Sequence, residues 1–217
     1  MSIDSATAWS VLRLSAVASI AFFGTEHQTH AQNLVLNPGF EATVSSGNGT
    51  ATQTPNWILG SGGGTFFSTN PAGQGSSGPN SGSWYAVFSA TSANQATAST
   101  LSQTITTTPS TTYIVSFFLS NLGGPHDTFL ATFGGQTVLS LSDSAAFGYR
   151  RYTATITATS AQTVLAFTGE QDPAQFGLDD VSVVAEAAPA PVTGGGIASI
   201  CVLVAALSIQ RMRRRKV

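Results

Sequence analysis

The chain has 217 residues, enough for one folded domain of ordinary size, and only 8% of them are charged, about a third of the usual fraction. The formal charge of -2 conceals an uneven distribution: five of the eight basic residues lie in the last seven positions, while residues 32–186 set eight acids against Arg150 and Arg151, a net -6. Such a surface argues against nucleic acid as a partner, and the single cysteine, Cys201, rules out an intrachain disulfide.

Residues 1–31 read as a secretory signal peptide. Arg13 precedes an apolar run over 14–23, and Thr29-His30-Ala31 puts small residues at the two positions that a signal peptidase reads. Cleavage after Ala31 leaves Gln32 at the start of the exported domain. His27 and His30 depart with the signal and are assigned no chemistry.

From Leu34 onward, short strands alternate with clusters of Gly, Asn, Pro and Ser, without helical periodicity. The expected strands are 34–36, 57–59, 65–68, 84–89, 99–106, 112–120, 129–133, 136–141, 152–159, 163–168 and 178–184. The strand over 112–120 should be central, since Tyr113, Val115, Phe117 and Leu119 form one face and Ile114 and Phe118 make the other partly apolar. Over 152–159, Tyr152, Ala154, Ile156 and Ala158 alternate with four threonines, the pattern of a half-buried antiparallel strand. The Gly- and Ser-rich stretch 60–82 reads either as a binding loop or as a loop without a ligand. Trp57, Trp84 and Tyr85 flank it, and are candidate stacking platforms for sugar rings or else core residues. The fold class is all-β, a two-sheet antiparallel jelly-roll sandwich over 32–186.

The segment Phe176-Gly177-Leu178-Asp179-Asp180-Val181-Ser182-Val183-Val184 closes the domain. Period-two alternation places Asp179 on the face of Val181 and Val183 and Asp180 with Ser182 on the other. One carboxylate is thereby aimed at the core, where it needs a cation, a metal or several backbone amides. This strand is expected to tie the last edge of the sandwich to its beginning, Asn33-Leu34-Val35-Leu36-Asn37-Pro38-Gly39-Phe40-Glu41, which carries a second acid.

After the domain comes a Pro/Ala linker and sorting motif over 187–193, an apolar helix over 194–210 and a basic tail over 211–217. The helix would rise about 25 Å, and the positive tail would remain cytoplasmic. It acts either as a transient membrane anchor or as a permanent one.

Asn33-Leu34-Val35-Leu36-Asn37-Pro38-Gly39-Phe40-Glu41, Gln103-Thr104-Ile105, Tyr113-Ile114-Val115-Ser116-Phe117 and Leu178-Asp179-Asp180-Val181-Ser182-Val183 together resemble carbohydrate-binding modules of the galactose-binding-like jelly-roll type. The tail resembles the PEP-CTERM sorting signal of Gram-negative bacteria, with Pro189-Ala190-Pro191 in place of Pro-Glu-Pro. That resemblance implies processing by an exosortase-like protease and delivery to the cell surface or extracellular matrix; Ala190-Pro191-Val192-Thr193-Gly194 also resembles a degenerate sortase motif. The module resemblance implies a structural calcium held by Glu41 and Asp179, the alternative being that both acids cap backbone amides without a metal. Two side chains fall short of the six to eight oxygens calcium takes.

No catalytic constellation emerges. Asp179 and Asp180 do not face each other across a cleft as glycosidase carboxylates do, and His126-Asp127 has no accompanying nucleophile motif. The expected function is that of an exported, membrane-anchored, surface- or matrix-associated protein, not an enzyme, which binds carbohydrate or exopolysaccharide. The alternative is a structural or adhesion protein with a protein partner, anchored by a sortase.

Overall fold

The computed structural model describes residues 31–45, 47, 49–60, 64–69, 78–89, 98–124, 127–171 and 174–187. Among them there are eleven strands and no helix. In chain order the strands are β1 Thr50–Ala51, β2 Ile58–Leu59, β3 Thr65–Ser68, β4 Tyr85–Phe88, β5 Ser99–Thr106, β6 Thr112–Asn121, β7 Thr128–Phe133, β8 Gln136–Ser142, β9 Phe147–Thr157, β10 Gln162–Glu170 and β11 Phe176–Ala185. All pairings are antiparallel and form two sheets, a six-stranded one ordered β1-β3-β4-β11-β6-β9 and a five-stranded one ordered β2-β5-β10-β7-β8.

The period-two patterns account for this layering. Tyr113, Val115, Phe117 and Leu119 of β6 join Leu101 and Ile105 of β5, Phe129 and Phe133 of β7 and Leu165 and Phe167 of β10 in one buried cluster between the sheets. Phe129 is its hub, with ring centroids 5.2 Å from Phe176, 5.5 Å from Phe88 and about 6.3–6.4 Å from Phe167 and Phe117. As its two-sided apolar pattern implies, β6 is interior to its sheet, between β11 and β9. β9 lies at the sheet edge, with its threonines exposed.

The opening segment is not a regular strand. Leu34 N–H donates to Val183 O, Val181 N–H donates to Pro38 O, and the Asn33 side chain bonds to both Val181 O and Val183 N–H. β4 pairs with β11 only over Phe176–Leu178, so this segment satisfies the backbone that β4 leaves uncovered. Gln103, buried on β5, bridges it to the other sheet: its Oε1 accepts Leu36 N–H, and its Nε2 donates to Leu36 O and Asn56 O. Residues 33–38 are therefore stitched to both sheets.

Truncating the hub ring tests this core. Phe129→Ala is expected to cost about 3–5 kcal/mol, the range for emptying a buried aromatic site, measured as a fall in the denaturant midpoint.

Candidate functional site

Asp179 and Asp180 sit at a bulge in β11, where the register against β6 shifts between Asp179 and Ser182 and Asp180 adopts a φ of 50°. The extra residue breaks the alternation: Leu178 and Val181 both lie in the core cluster. The two carboxylates are thus not divided between opposite faces as strict period two predicts. They grip the same two residues instead. Asp179 Oδ2 accepts the backbone N–H groups of Asn80 (2.8 Å) and Ser81 (3.0 Å), and its Oδ1 accepts the Asp180 N–H (2.8 Å). Asp180 accepts from Asn80 Nδ2 (2.7 Å) and Ser81 Oγ (2.6 Å).

Glu41 holds the next two amides of that segment, its Oε1 accepting from Ser83 N and Trp84 N at 2.9 Å each. A tight turn delivers it there. Asn37 and Phe40 have positive φ, and Asn37 Oδ1 accepts the Ala42 N–H. Gly82, at φ 62°, passes so close that a Cβ would collide with Glu41 Oε1. Asp179, Asp180 and Glu41 therefore form a clamp on Asn80–Trp84.

Burial drives the Asp179 carboxyl up from 3.8 to about 7, aided by the neighbouring Asp180 carboxylate and opposed by the N–H groups of Ser81, Asp180 and Asn80. A calcium ion at Glu41 and Asp179 would have to displace these donors. Both Asp179 oxygens and Glu41 Oε1 face N–H groups, and among the described residues no three His, Cys, Asp or Glu side chains converge to hold a metal. The pair as placed does not fit a resident calcium ion, which takes six to eight oxygens.

Trp57, Trp84 and Tyr85 are 6%, 8% and 0% exposed. Trp57 packs on Phe40 (5.3 Å) and Phe167 (6.2 Å) and spends its indole N–H on Asn37 O. Stacking on a sugar needs an open ring face; Trp57 and Trp84 belong to the core cluster instead, and Tyr85, which alternation turns to the other face of β4, is fully buried there. The more open aromatic surface lies on the outer face of the six-stranded sheet, opposite the core cluster. There Phe118, half-buried, sits in register between Asp179 of β11 and exposed Arg151 of β9. In the adjacent row, Ser116 lies between Ser182 and Thr153, and Arg151 Nη2 donates to Ser116 Oγ (3.1 Å). Tyr149 bends over Gly177, where a Cβ would meet its hydroxyl at 2.8 Å, and donates to Gly78 O (2.8 Å). That bond and the clamp together draw the Gly78–Trp84 segment onto this face.

Pro189, Ala190 and Pro191 of the expected sorting motif, all but Ala31 of the expected signal peptide over 1–31, the apolar run over 194–210, the basic tail and His126 lie outside the described residues. No helix among the described residues is long and apolar enough to cross a membrane.

No family model matches the chain, and no curated protein matches it. Solved structures do. The carbohydrate-binding module TmCBM61, in complex with β-1,4-galactotriose, aligns with a TM-score of 0.53 at 15% identity over 72% of this chain and all of its own. An apo cyclase from Fischerella sp. aligns with a TM-score of 0.54 at 17% identity over 72% of this chain and 97% of its own. The arabinose-bound α-L-arabinofuranosidase MgGH51 aligns at 0.50 and 13% identity over 70% of this chain and 26% of its own. These likenesses show a jelly-roll sandwich fold shared with a carbohydrate-binding module, with nearly the whole of a cyclase and with part of an arabinofuranosidase.

The clamp has a pH signature. The contribution of Asp179 is fully present below about pH 3.8 and is lost as the pH rises through about 7, because the folded state holds its proton more tightly. Denaturant unfolding of the wild type should show this fall over that interval, and Asp179→Ala should lack it. The variant should also be less stable throughout, by about 1–3 kcal/mol for each amide left unpaired.

Proposed function

We propose that the chain is an exported, non-catalytic jelly-roll protein that binds a polysaccharide on the outer face of its six-stranded sheet. The observation that carries this reading is the row Asp179–Phe118–Arg151 beside Ser182–Ser116–Thr153, which puts one half-open ring among a guanidinium and hydroxyls. A sugar presents apolar ring faces and a rim of hydroxyls, and apolar surface with a few fixed polar groups is the chemistry that receives it. The galactotriose bound by a protein of the same fold favours this class of ligand. The disposition of the acids favours binding over hydrolysis: Glu41 and Asp179 are engaged by amides, and Asp127 is fully buried.

Export by the leader over 1–31 and delivery to the cell surface or matrix belong to the same proposal. Pro189-Ala190-Pro191 is the motif for an exosortase-like sorting protease, and the apolar segment over 194–210 is the membrane anchor before processing.

Affinity electrophoresis against a panel of neutral and acidic polysaccharides tests the binding face. The wild type should be retarded by at least one sugar, and Phe118→Ala and Arg151→Ala should each weaken that binding about tenfold or more, as anchor residues do, with little change in melting temperature. No retardation on any sugar would sink the reading in favour of an adhesion protein with a protein partner. Fractionating cells that express the chain tests export: the domain should appear at the surface or in the medium, with a lower mass than the full chain.

A further inference from the structure

The edge of a β-sheet exposes main-chain N–H and C=O groups with which another strand can pair, and proteins blunt such edges with short strands, charges, proline or bulges. Among the described residues, one sheet ends on β1 and β9 and the other on β2 and β8. β1 and β2 are two residues long, and β8 is bulged, its pairing with β7 shifting register between Ala131 and Thr132. β9 is different. It runs for 11 residues, and its register against β6 is unbroken from Arg150 to Thr157. Its cations, Arg150 and Arg151, stand in the first half, and Tyr152-Thr153-Ala154-Thr155-Ile156-Thr157 carries no charge, proline or glycine.

The direction of the free groups is fixed by bonds at the end of the strand. Ala158, just past β9, turns both its N–H, toward Thr111 O, and its C=O, toward Ser110 N–H, to the segment that leads into β6. Alternation turns the groups of Thr157 the other way, and there Thr157 O accepts Gln136 Nε2 at 3.1 Å. Thr155, Thr153 and Arg151 follow in phase, so their N–H and C=O groups point off the edge of the sheet. Along that edge the threonine side chains are exposed, while Tyr152 and Ala154 are half-buried against the core cluster.

The same segment is complementary to itself. Two copies laid antiparallel about a two-fold axis at Ala154 set Thr153 opposite Thr155 of the second copy and Tyr152 opposite its Ile156, hydroxyl against hydroxyl and aromatic against β-branched, pairs that favour strand association. Arg151 then faces a threonine, and the two Arg151 residues stand about 20 Å apart along the strands, beyond the reach of repulsion at physiological salt. No acid lies on β9, so two acidic domains meet here without opposed carboxylates.

We propose that β9 is a self-association edge: a second copy of this chain adds its own β9 antiparallel, centred on Ala154, and the two six-stranded sheets become one. The outer faces that carry Phe118 and Arg151 then lie side by side, but the pairing itself does not depend on what those faces bind.

Disulfide trapping in the full chain tests it, with the single native cysteine, Cys201, replaced by serine. Across the axis the two Ala154 residues form a non-hydrogen-bonded pair with Cα atoms about 4.5 Å apart, within the span that a disulfide takes. Under mild oxidation in detergent, Ala154→Cys should give a covalent dimer, whereas Thr153→Cys, more exposed but off the axis, should stay monomeric. By sedimentation without oxidant, the wild type should be a dimer and Thr155→Lys, which places a guarding charge on the free edge, a monomer with an unchanged melting temperature; this arm decides the matter should Ala154→Cys not fold. The proposal is overturned by a monomeric wild type, by a dimer that persists in Thr155→Lys, or by trapping that fails at Ala154→Cys or is equal at Thr153→Cys.

Discussion

The structure depends on how one buried carboxylate, Asp179, is satisfied. It lies at a bulge in a strand interior to its sheet, fully shielded from solvent, and its partners are main-chain N–H groups rather than a positive side chain. A buried acid met only by dipoles is costly, which is why its proton is held to about pH 7. The arrangement stabilises position more than energy. Asp179 and Asp180 fix Asn80 and Ser81, Glu41 fixes Ser83 and Trp84, and residues 33–38 complete the edge of β11 that β4 leaves open. Three segments far apart in sequence are thereby locked at one place on the sheet.

That lock shapes the surface available to a ligand. With the Gly78–Trp84 segment drawn toward Tyr149, one part of the outer sheet face is bordered by chain, while the part carrying Phe118, Arg151 and Thr153 stays more open. Trp57 and Trp84 are spent on the interior, where Trp57 packs on Phe40. Binding then falls to a ring that alternation turned outward. The same domain places its few cations together: Arg150 lies over the Phe147 ring at 4.9 Å and Arg151 reaches Ser116, so positive charge on this acidic domain is concentrated along β9.

Most of the layering was legible in the sequence, and the site was not. β3 and β5 match the alternation to the residue, and β6, β7, β8 and β10 differ by a residue or two at their ends, because one clean face was enough to mark each. The two-residue β1 was missed, having too few side chains to show a period. The stitching of the beginning to β11 was foreseen from paired acids and apolar segments, but the expected strand over 34–36 is held partly by side chains, those of Asn33 and Gln103, which no periodicity reports. The split of Asp179 and Asp180 between faces failed because a bulge inserts one residue without a mark in the hydrophobic pattern, since both neighbours of the pair, Leu178 and Val181, read as core. Phe118 had a visible signal, an aromatic ring on the second face of β6, yet a strand apolar on both sides reads first as fully buried. The buried side chains of Asp127 and Gln171 both bond to Asn121, up to 50 positions away, and nothing in their local sequence shows that they meet.

The central claim is that the three clamp acids hold Asn80–Trp84 on the sheet as firmly as core structure. Residue-resolved hydrogen exchange of the Asn80, Ser81, Ser83 and Trp84 amides measures this directly. The account predicts exchange as slow as that of β6, with Asn80 and Ser81 accelerating sharply in Asp179→Ala while β6 changes only with global stability. Exchange at the rate of an unprotected loop in the wild type would contradict it.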